Sequence, residues 1–162
     1  MTDDRRLMAL ALAEARRAGE QGEIPIGAVV AIDNEVVAAR HNEREGSGDP
    51  TAHAEMLALR DAASALGTSR LDGAVLATTL EPCPMCAGAA VVARVARVVF
   101  AAEDPKAGAC GTLYNLGTDP RLNHNFEVIS GVHRDEAAAL LQAFFAALRR
   151  EPRKQRLRLD LS

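Results

Sequence analysis

Thr51-Ala52-His53-Ala54-Glu55 and Glu81-Pro82-Cys83-Pro84-Met85-Cys86 read together as His-x-Glu…Pro-Cys-x-x-Cys, and the gap between them has room for one helix and one strand. Each half carries helix-start chemistry. Asp49-Pro50-Thr51 offers Asp49 or Thr51 as a cap, and the spacing predicts a helix over 52–66 that Gly67 stops. Met56, Leu59, Ala63 and Leu66 are expected to face inward. The β-branched content of 74–80 predicts a strand. Pro82 ends that strand, and a second helix follows over 83–93. His53 and Glu55 then share the first turn of one helix, pointing apart but able to flank one small cavity. Cys83 and Cys86, three residues apart, share a face of the other. A helix start lowers the pKa of a nearby thiol. Two helix starts meeting at one point would gather one imidazole, two thiols and one carboxylate.

Working outward, residues 3–18 predict an amphipathic helix with Leu7, Leu10, Ala11 and Ala15 on one face, Asp3 or Asp4 at its start and Gly19 and Gly22 at its end. The apolar run 26–32 reads as a strand buried on both faces. Asp33-Asn34 is a turn signal, and 35–40 reads as the second strand of a hairpin. Residues 41–50 read as a polar loop. Strands follow at 97–101 and 127–130, separated by a Gly-containing loop. Residues 134–150 form a final helix with Ala137, Leu140, Leu141, Phe144, Phe145 and Leu148 on its apolar face. A hairpin followed by β–α–β units implies helices on both faces of a mixed sheet. The expected architecture is an α/β fold, a three-layer α/β/α sandwich around a mixed five-stranded sheet. It would form a single domain over 1–150, followed by a basic C-terminal tail at 151–162.

The 162 residues suit one core, and the apolar fraction of 48% suits a packed globular chain. No apolar run approaches the roughly 20 residues of a membrane span, and no secretory pattern opens the sequence. A cytoplasmic protein with no membrane partner is the expectation. Of three cysteines, two share the Cys-x-x-Cys, which in a reducing compartment points to metal or redox chemistry. Between Arg149 and Arg158 six basic residues face one acid, a net +5, so the remainder of the −3 chain carries −8. A basic end on an acidic body suits contact with nucleic acid, and equally a solvated helix end.

Cys-x-x-Cys alone is compatible with a redox pair, a zinc knuckle or coincidence. The preceding His-x-Glu selects zinc. His53, Cys83 and Cys86 supply three ligands of the types zinc prefers, and no fourth sits at ligand spacing, as in catalytic sites that leave one position to water. Zinc lowers the pKa of its water to about 7. The resulting hydroxide can attack an amidine-type ring carbon, with Glu55 shuttling protons to the ring nitrogen and the departing amine. Cys110 has no nearby partner and reads as a packed thiol. His41, His124 and His133 are isolated, with surface or capping roles as the plain reading.

His-x-Glu…Pro-Cys-x-x-Cys is the signature of zinc-dependent nucleobase deaminases. The resemblance extends over nearly the whole chain. It includes Ile24-Pro25-Ile26-Gly27-Ala28-Val29, Asn42, the segment from Asp49 to Glu55, the segment from Thr79 to Ala89, the loop from Asp104 to Gly111, and Leu122-Asn123-His124. In these motifs the sequence resembles the bacterial tRNA-specific adenosine deaminases of the cytidine deaminase superfamily. The zinc motif is common to that superfamily; the Asp104–Gly111 loop and Leu-Asn-His point to the tRNA branch. The resemblance implies a cytidine deaminase-like fold, a homodimer and one Zn2+ per subunit. It implies hydrolysis of the wobble adenosine in a tRNA anticodon loop to inosine, with the ACG arginine tRNA as substrate. Carried over position by position, His53, Cys83 and Cys86 hold zinc and Glu55 is the proton shuttle. Asn42 and the Ala54 amide hold the nucleoside, and Asp104, Lys106, Asn123 and His124 lie near the flipped anticodon nucleotides.

Two positions depart from that pattern. Asn125 stands where relatives often carry Arg, and Glu103 where they often carry a basic or neutral residue. Both leave the basic tail as the expected electrostatic handle. Single-stranded RNA is usually held by stacking on aromatic or Arg planes. Of Phe100, Tyr114, Phe126, Phe144 and Phe145, the candidates for a base contact are Phe144 or Phe145. Two rivals stand beside this reading: a guanine- or cytosine-type deaminase of free bases or nucleosides, and a non-catalytic RNA-binding module stabilised by zinc. The Asp104–Gly111 loop argues against the first. Glu55 and the three-ligand set argue against the second.

Overall fold

The computed structural model describes residues 3–151. Helix α1 (Asp4–Glu20) is followed by β1 (Gly27–Ile32), β2 (Glu35–His41), α2 (Arg44–Ser47), α3 (Ala54–Leu66), β3 (Val75–Leu80), α4 (Pro84–Ala93), β4 (Arg97–Ala102), β5 (Glu127–Ser130) and α5 (Arg134–Leu148). The strands form one sheet in the order β2-β1-β3-β4-β5. β1 runs antiparallel to both β2 and β3, whereas β3–β4 and β4–β5 are parallel. The sheet is mixed and five-stranded, as expected.

Alternation along the strands builds the three layers. Ala28, Val30, Leu76, Val98 and Phe100 face one way and pack with Ala54, Ala58, Leu59 and Ala62 of α3 and Ala87, Ala90 and Val91 of α4. Val29, Ala31, Val75, Ala77, Val99 and Ala101 face the other way, against Leu7, Met8, Ala11 and Leu12 of α1 and Ala137 of α5. Much of this inner surface is Ala and Val, which lets helix and sheet backbones approach closely. Gly27 is the extreme case: a Cβ there would lie 2.0 Å from the Ala11 carbonyl oxygen and 2.6 Å from the Ala15 nitrogen.

Asp3 caps α1, its carboxylate accepting from the Arg6 amide at 3.1 Å. The β1–β2 hairpin turns on Asp33 and Asn34, both at positive φ (50° and 66°), the geometry whose twist matches paired strands. A register break between Val30 and Ala31 leaves Val37 unpaired as a bulge.

Several local expectations need correction. Helix α3 begins at Ala54, not 52, because Asp49 caps the preceding turn by accepting from the Thr51 amide and hydroxyl. His53 is therefore the N-cap residue. The buried face of α3 is Ala54, Glu55, Ala58, Leu59 and Ala62; Met56 and Ala63 are half-buried and Leu66 is exposed. The inward stripe is made of small residues, so a search for large side chains rotates it. Leu10 of α1 is likewise exposed, with Met8 and Leu12 buried in its place. The 41–50 segment contains the short helix α2, and His41 is a buried end of β2. On α5 only Ala137 and Leu148 are buried; Leu140, Leu141, Phe144 and Phe145 are half-buried. Residues 152–162, which hold most of the basic tail, lie outside the described residues.

Candidate active site

Two helix starts on the same side of the sheet build the site. His53 is the N-cap of α3 and Cys83 the N-cap of α4, both in extended backbone, with Pro84 opening α4. Neither side chain makes a helix-capping hydrogen bond, and the imidazole and the Cys83 thiol turn toward each other. His53 Nδ1 lies 3.7 Å from Cys83 Sγ and 3.5 Å from Cys86 Sγ. Among the described residues these three side chains form one group that could hold a metal ion, with ligand atoms all within 4.8 Å of one another. One imidazole and two thiols at this spacing fit zinc.

Glu55, one residue into α3, is buried behind the group. Its Oε1 accepts from the Thr78 hydroxyl at 2.9 Å, and its Oε2 lies 3.2 Å from Cys86 Sγ. Burial raises the Glu55 pKa, against the pull of these hydrogen bonds and of His53. Cys83 is lowered to about 4, chiefly because the Cys86 thiol donates to it and also through His53. Cys86 moves the opposite way, pushed up by sharing its proton with Cys83, by burial and by the Glu55 carboxylate. The hydrogen bond with Cys83 raises His53. The shifts are opposed, so Cys83 gives up its proton more readily than Cys86. Cys110 sits in the core beside α4, with burial pushing its thiol up to about 12.

A cavity of about 350 Å³ opens over this group. His53, Ala54, Glu55 and Cys83 form its floor, with Ile24, Ile26, Asn42 and Arg44 lining it from the β1–β2 side. Glu103, Asp104, Pro105, Lys106 and Ala107 form a further part of the wall, and Leu141 and Phe145 of α5 complete it. Asn42 is buried and held: its Oδ1 accepts from the Arg44 amide at 3.1 Å and its Nδ2 donates to the Ile24 carbonyl at 3.4 Å. Asp104 accepts from the Lys106 and Ala107 amides at 2.9 and 3.3 Å, forming a tight turn. Phe144 meets Phe145 edge to face at 5.6 Å; of the two, Phe145 reaches the cavity.

Asn123 and His124 do not line this cavity. His124 Nε2 lies 2.7 Å from the Val95 carbonyl oxygen, and the Asn123 carbonyl accepts from Arg94. Asn125 donates to the Asp119 carbonyl at 2.8 Å. Glu103 pairs with Arg134, so its charge at the cavity wall is partly met. Sequence reasoning assigned no site role to Arg44, Leu141 or Glu81, all of which line the cavity. For Glu81 a signal existed: a carboxylate between an apolar strand and Pro82 has to find donors.

Residues 1–102 match the family described as the cytidine and deoxycytidylate deaminase zinc-binding region. The chain is 52% identical over 160 residues to the tRNA-specific adenosine deaminase of Bacillus subtilis, covering 99% of both chains. It is 45% identical to that of Agrobacterium fabrum over 90% of this chain and 95% of the relative. Among solved structures, one from studies of A-to-I editing by tRNA:A34 deaminases at the wobble position superposes with a TM-score of 0.81 at 46% identity, covering 84% of this chain and 99% of that one. A guanine deaminase from Nitrosomonas europaea superposes with a TM-score of 0.74 at 29% identity, covering 90% and 86%. The chain belongs to the zinc-dependent cytidine and deoxycytidylate deaminase family and, within it, to the tRNA-specific adenosine deaminases.

Proposed function

We propose that this protein hydrolyses the wobble adenosine of a tRNA anticodon to inosine and releases ammonia. The observation that carries the reading is a buried carboxylate, Glu55, set against a three-donor His/Cys/Cys group at the floor of one cavity. His53, Cys83 and Cys86 would hold zinc, and the N-terminal ends of α3 and α4 favour the thiolates. When bound, zinc supplies a water that ionises near neutral pH.

The chain's own residues do the rest. Glu55 takes a proton from the attacking water and gives it to the ring nitrogen as the C6–O bond forms, then takes the remaining proton from the new C6 hydroxyl and gives it to the amine as the C6–N bond breaks and the C6=O bond forms. Its raised pKa suits both directions of transfer. The Thr78 hydroxyl fixes the orientation of its carboxylate. Asn42 and the Ala54 amide would hold the nucleoside, while Ile26, Leu80, Leu141 and Phe145 exclude water around the ring. The volume lies in the range of small-molecule sites, roughly 300–1,000 Å³, so a single extruded nucleoside is what it can take. Asp104 and Lys106 at the wall stand where neighbouring anticodon nucleotides would pass. By the family resemblance Asn123 and His124 would lie near the RNA; neither lines this cavity, so the contact proposed for them is with flanking nucleotides.

The substrate proposed is the ACG arginine tRNA, and the site of action the cytoplasm. No helix of the described residues is long and apolar enough to cross a membrane. A homodimer is proposed as well, as the family resemblance implies. The test is turnover by zinc-loaded protein of an ACG anticodon stem-loop, with free adenosine, guanine and cytidine in parallel. Inosine in the stem-loop alone is expected. Turnover of a free base alone would move the protein to the other branch of the family.

A further inference from the structure

We infer that Glu81 is a positioning residue whose buried carboxylate holds the substrate-facing wall 103–107 in its working shape. The inference deepens the tRNA reading and rests on it. Glu81 is 2% exposed. Its amide donates to the Ala102 carbonyl at 2.8 Å, which sets the side chain directly beneath the point where β4 gives way to the wall.

From there one carboxylate meets both ends of the loop. Oε1 accepts from the Asp104 amide at 3.1 Å, at the start of the wall, and from the Thr112 hydroxyl beyond its end. Oε2 accepts from the Cys110 and Thr112 amides at 3.0 and 3.1 Å. Four donors thus converge on two oxygens, as a buried carboxylate with no cationic partner among the described residues requires. The loop closes so tightly over the group that a Cβ on Gly108 would lie 2.5 Å from the Glu81 carboxyl carbon. The Asp104 side chain is committed to the Lys106 and Ala107 amides, so the wall is a rigid turn seated on Glu81. The wall and the cavity floor belong to separate segments, and Glu81 stands between them, two residues before Cys83.

Such a device acts on where substrate sits and not on the proton transfers. Its signature is therefore a change in KM larger than the change in kcat per bound zinc. Glu81→Gln keeps shape and packing but turns an NH2 group against backbone N–H donors. With the stem-loop as substrate, KM is expected to rise about tenfold, at wild-type zinc content, with kcat per zinc changing less. In hydrogen exchange the Cys110 and Thr112 amides should lose protection. Thr112→Val removes only the hydroxyl that donates to Oε1 and should raise KM about threefold; it carries the test if Glu81→Gln does not fold. An unchanged KM in the folded, zinc-loaded variant, or activity that falls only with zinc content, would overturn the inference. Should wild-type protein turn over a free base and no stem-loop, the tRNA reading fails separately. The KM comparison on that base then decides the role of Glu81 by the same criterion.

Discussion

At the scale of single residues, the site is a problem of proton placement. The hydrogen bond with Cys86 lowers the Cys83 thiol, while that same bond, burial and the Glu55 carboxylate push Cys86 up. Zinc needs both sulfurs deprotonated, so metal binding must expel the Cys86 proton. The sign follows: below the Cys86 pKa, affinity for zinc rises with pH by about tenfold per unit for one released proton. It rises more steeply where His53 is also protonated, since its pKa is raised too. Titration of the protein with zinc at pH 7, in two buffers of different ionisation enthalpy, should give a release of at least one proton, and more to the extent that His53 is protonated. Zero release would mean that the two thiols do not share a proton as described.

At the scale of elements, the fold works by bringing helix starts to one side of a sheet with almost no clearance. Gly27 shows how little clearance there is. Gly27→Ala would drive a Cβ into the α1 backbone at Ala11 and Ala15, which cannot move as a side chain can. A loss of about 3 kcal/mol in urea unfolding is expected; a loss under about 1 kcal/mol would show that α1 shifts freely. The same close packing explains what the sequence did and did not reveal. The strands, the hairpin turn at Asp33-Asn34 and the cap at Asp3 follow from residue types acting locally. The inward face of α1 followed at Leu7, Ala11 and Ala15 but not at Leu10. That of α3 followed only at Leu59, because the rest of its stripe is mostly Ala, and an Ala stripe buried against Ala and Val strands looks neutral in a search for large apolar side chains. Helix α2 was hidden for another reason. The buried Glu23 carboxylate, distant in sequence, accepts from the Glu45 and Gly46 amides and organises that turn.

At the scale of the whole molecule, charge is divided between an acidic body and a basic C-terminal end. Glu103 adds to the negative side of the cavity mouth, and its pairing with Arg134 leaves little net attraction for phosphate there. Attraction to RNA is then expected to come from the end of α5 onward. Deleting residues 151–162 should weaken stem-loop binding and flatten its dependence on salt, since every phosphate no longer neutralised lowers the slope by roughly 0.7 for a single strand. An unchanged slope would rule the tail out as a handle. At this scale the grouping of His53, Cys83 and Cys86 beside Glu55 was legible because these residues are compressed into two short motifs. Much of the wall was not, because Arg44, Leu141 and Glu81 come from three segments that only the sheet order brings together.

If Glu55 moves the protons while His53, Cys83 and Cys86 hold the metal without it, Glu55→Gln separates the two roles. Zinc per chain and inosine formed in the ACG stem-loop under single-turnover conditions are measured on the same preparation. Wild-type zinc content is expected, with the rate reduced at least ~100-fold, the lower bound for a positioned acid–base group. Inosine formation within a few-fold of wild type, at full zinc, would contradict that role of Glu55.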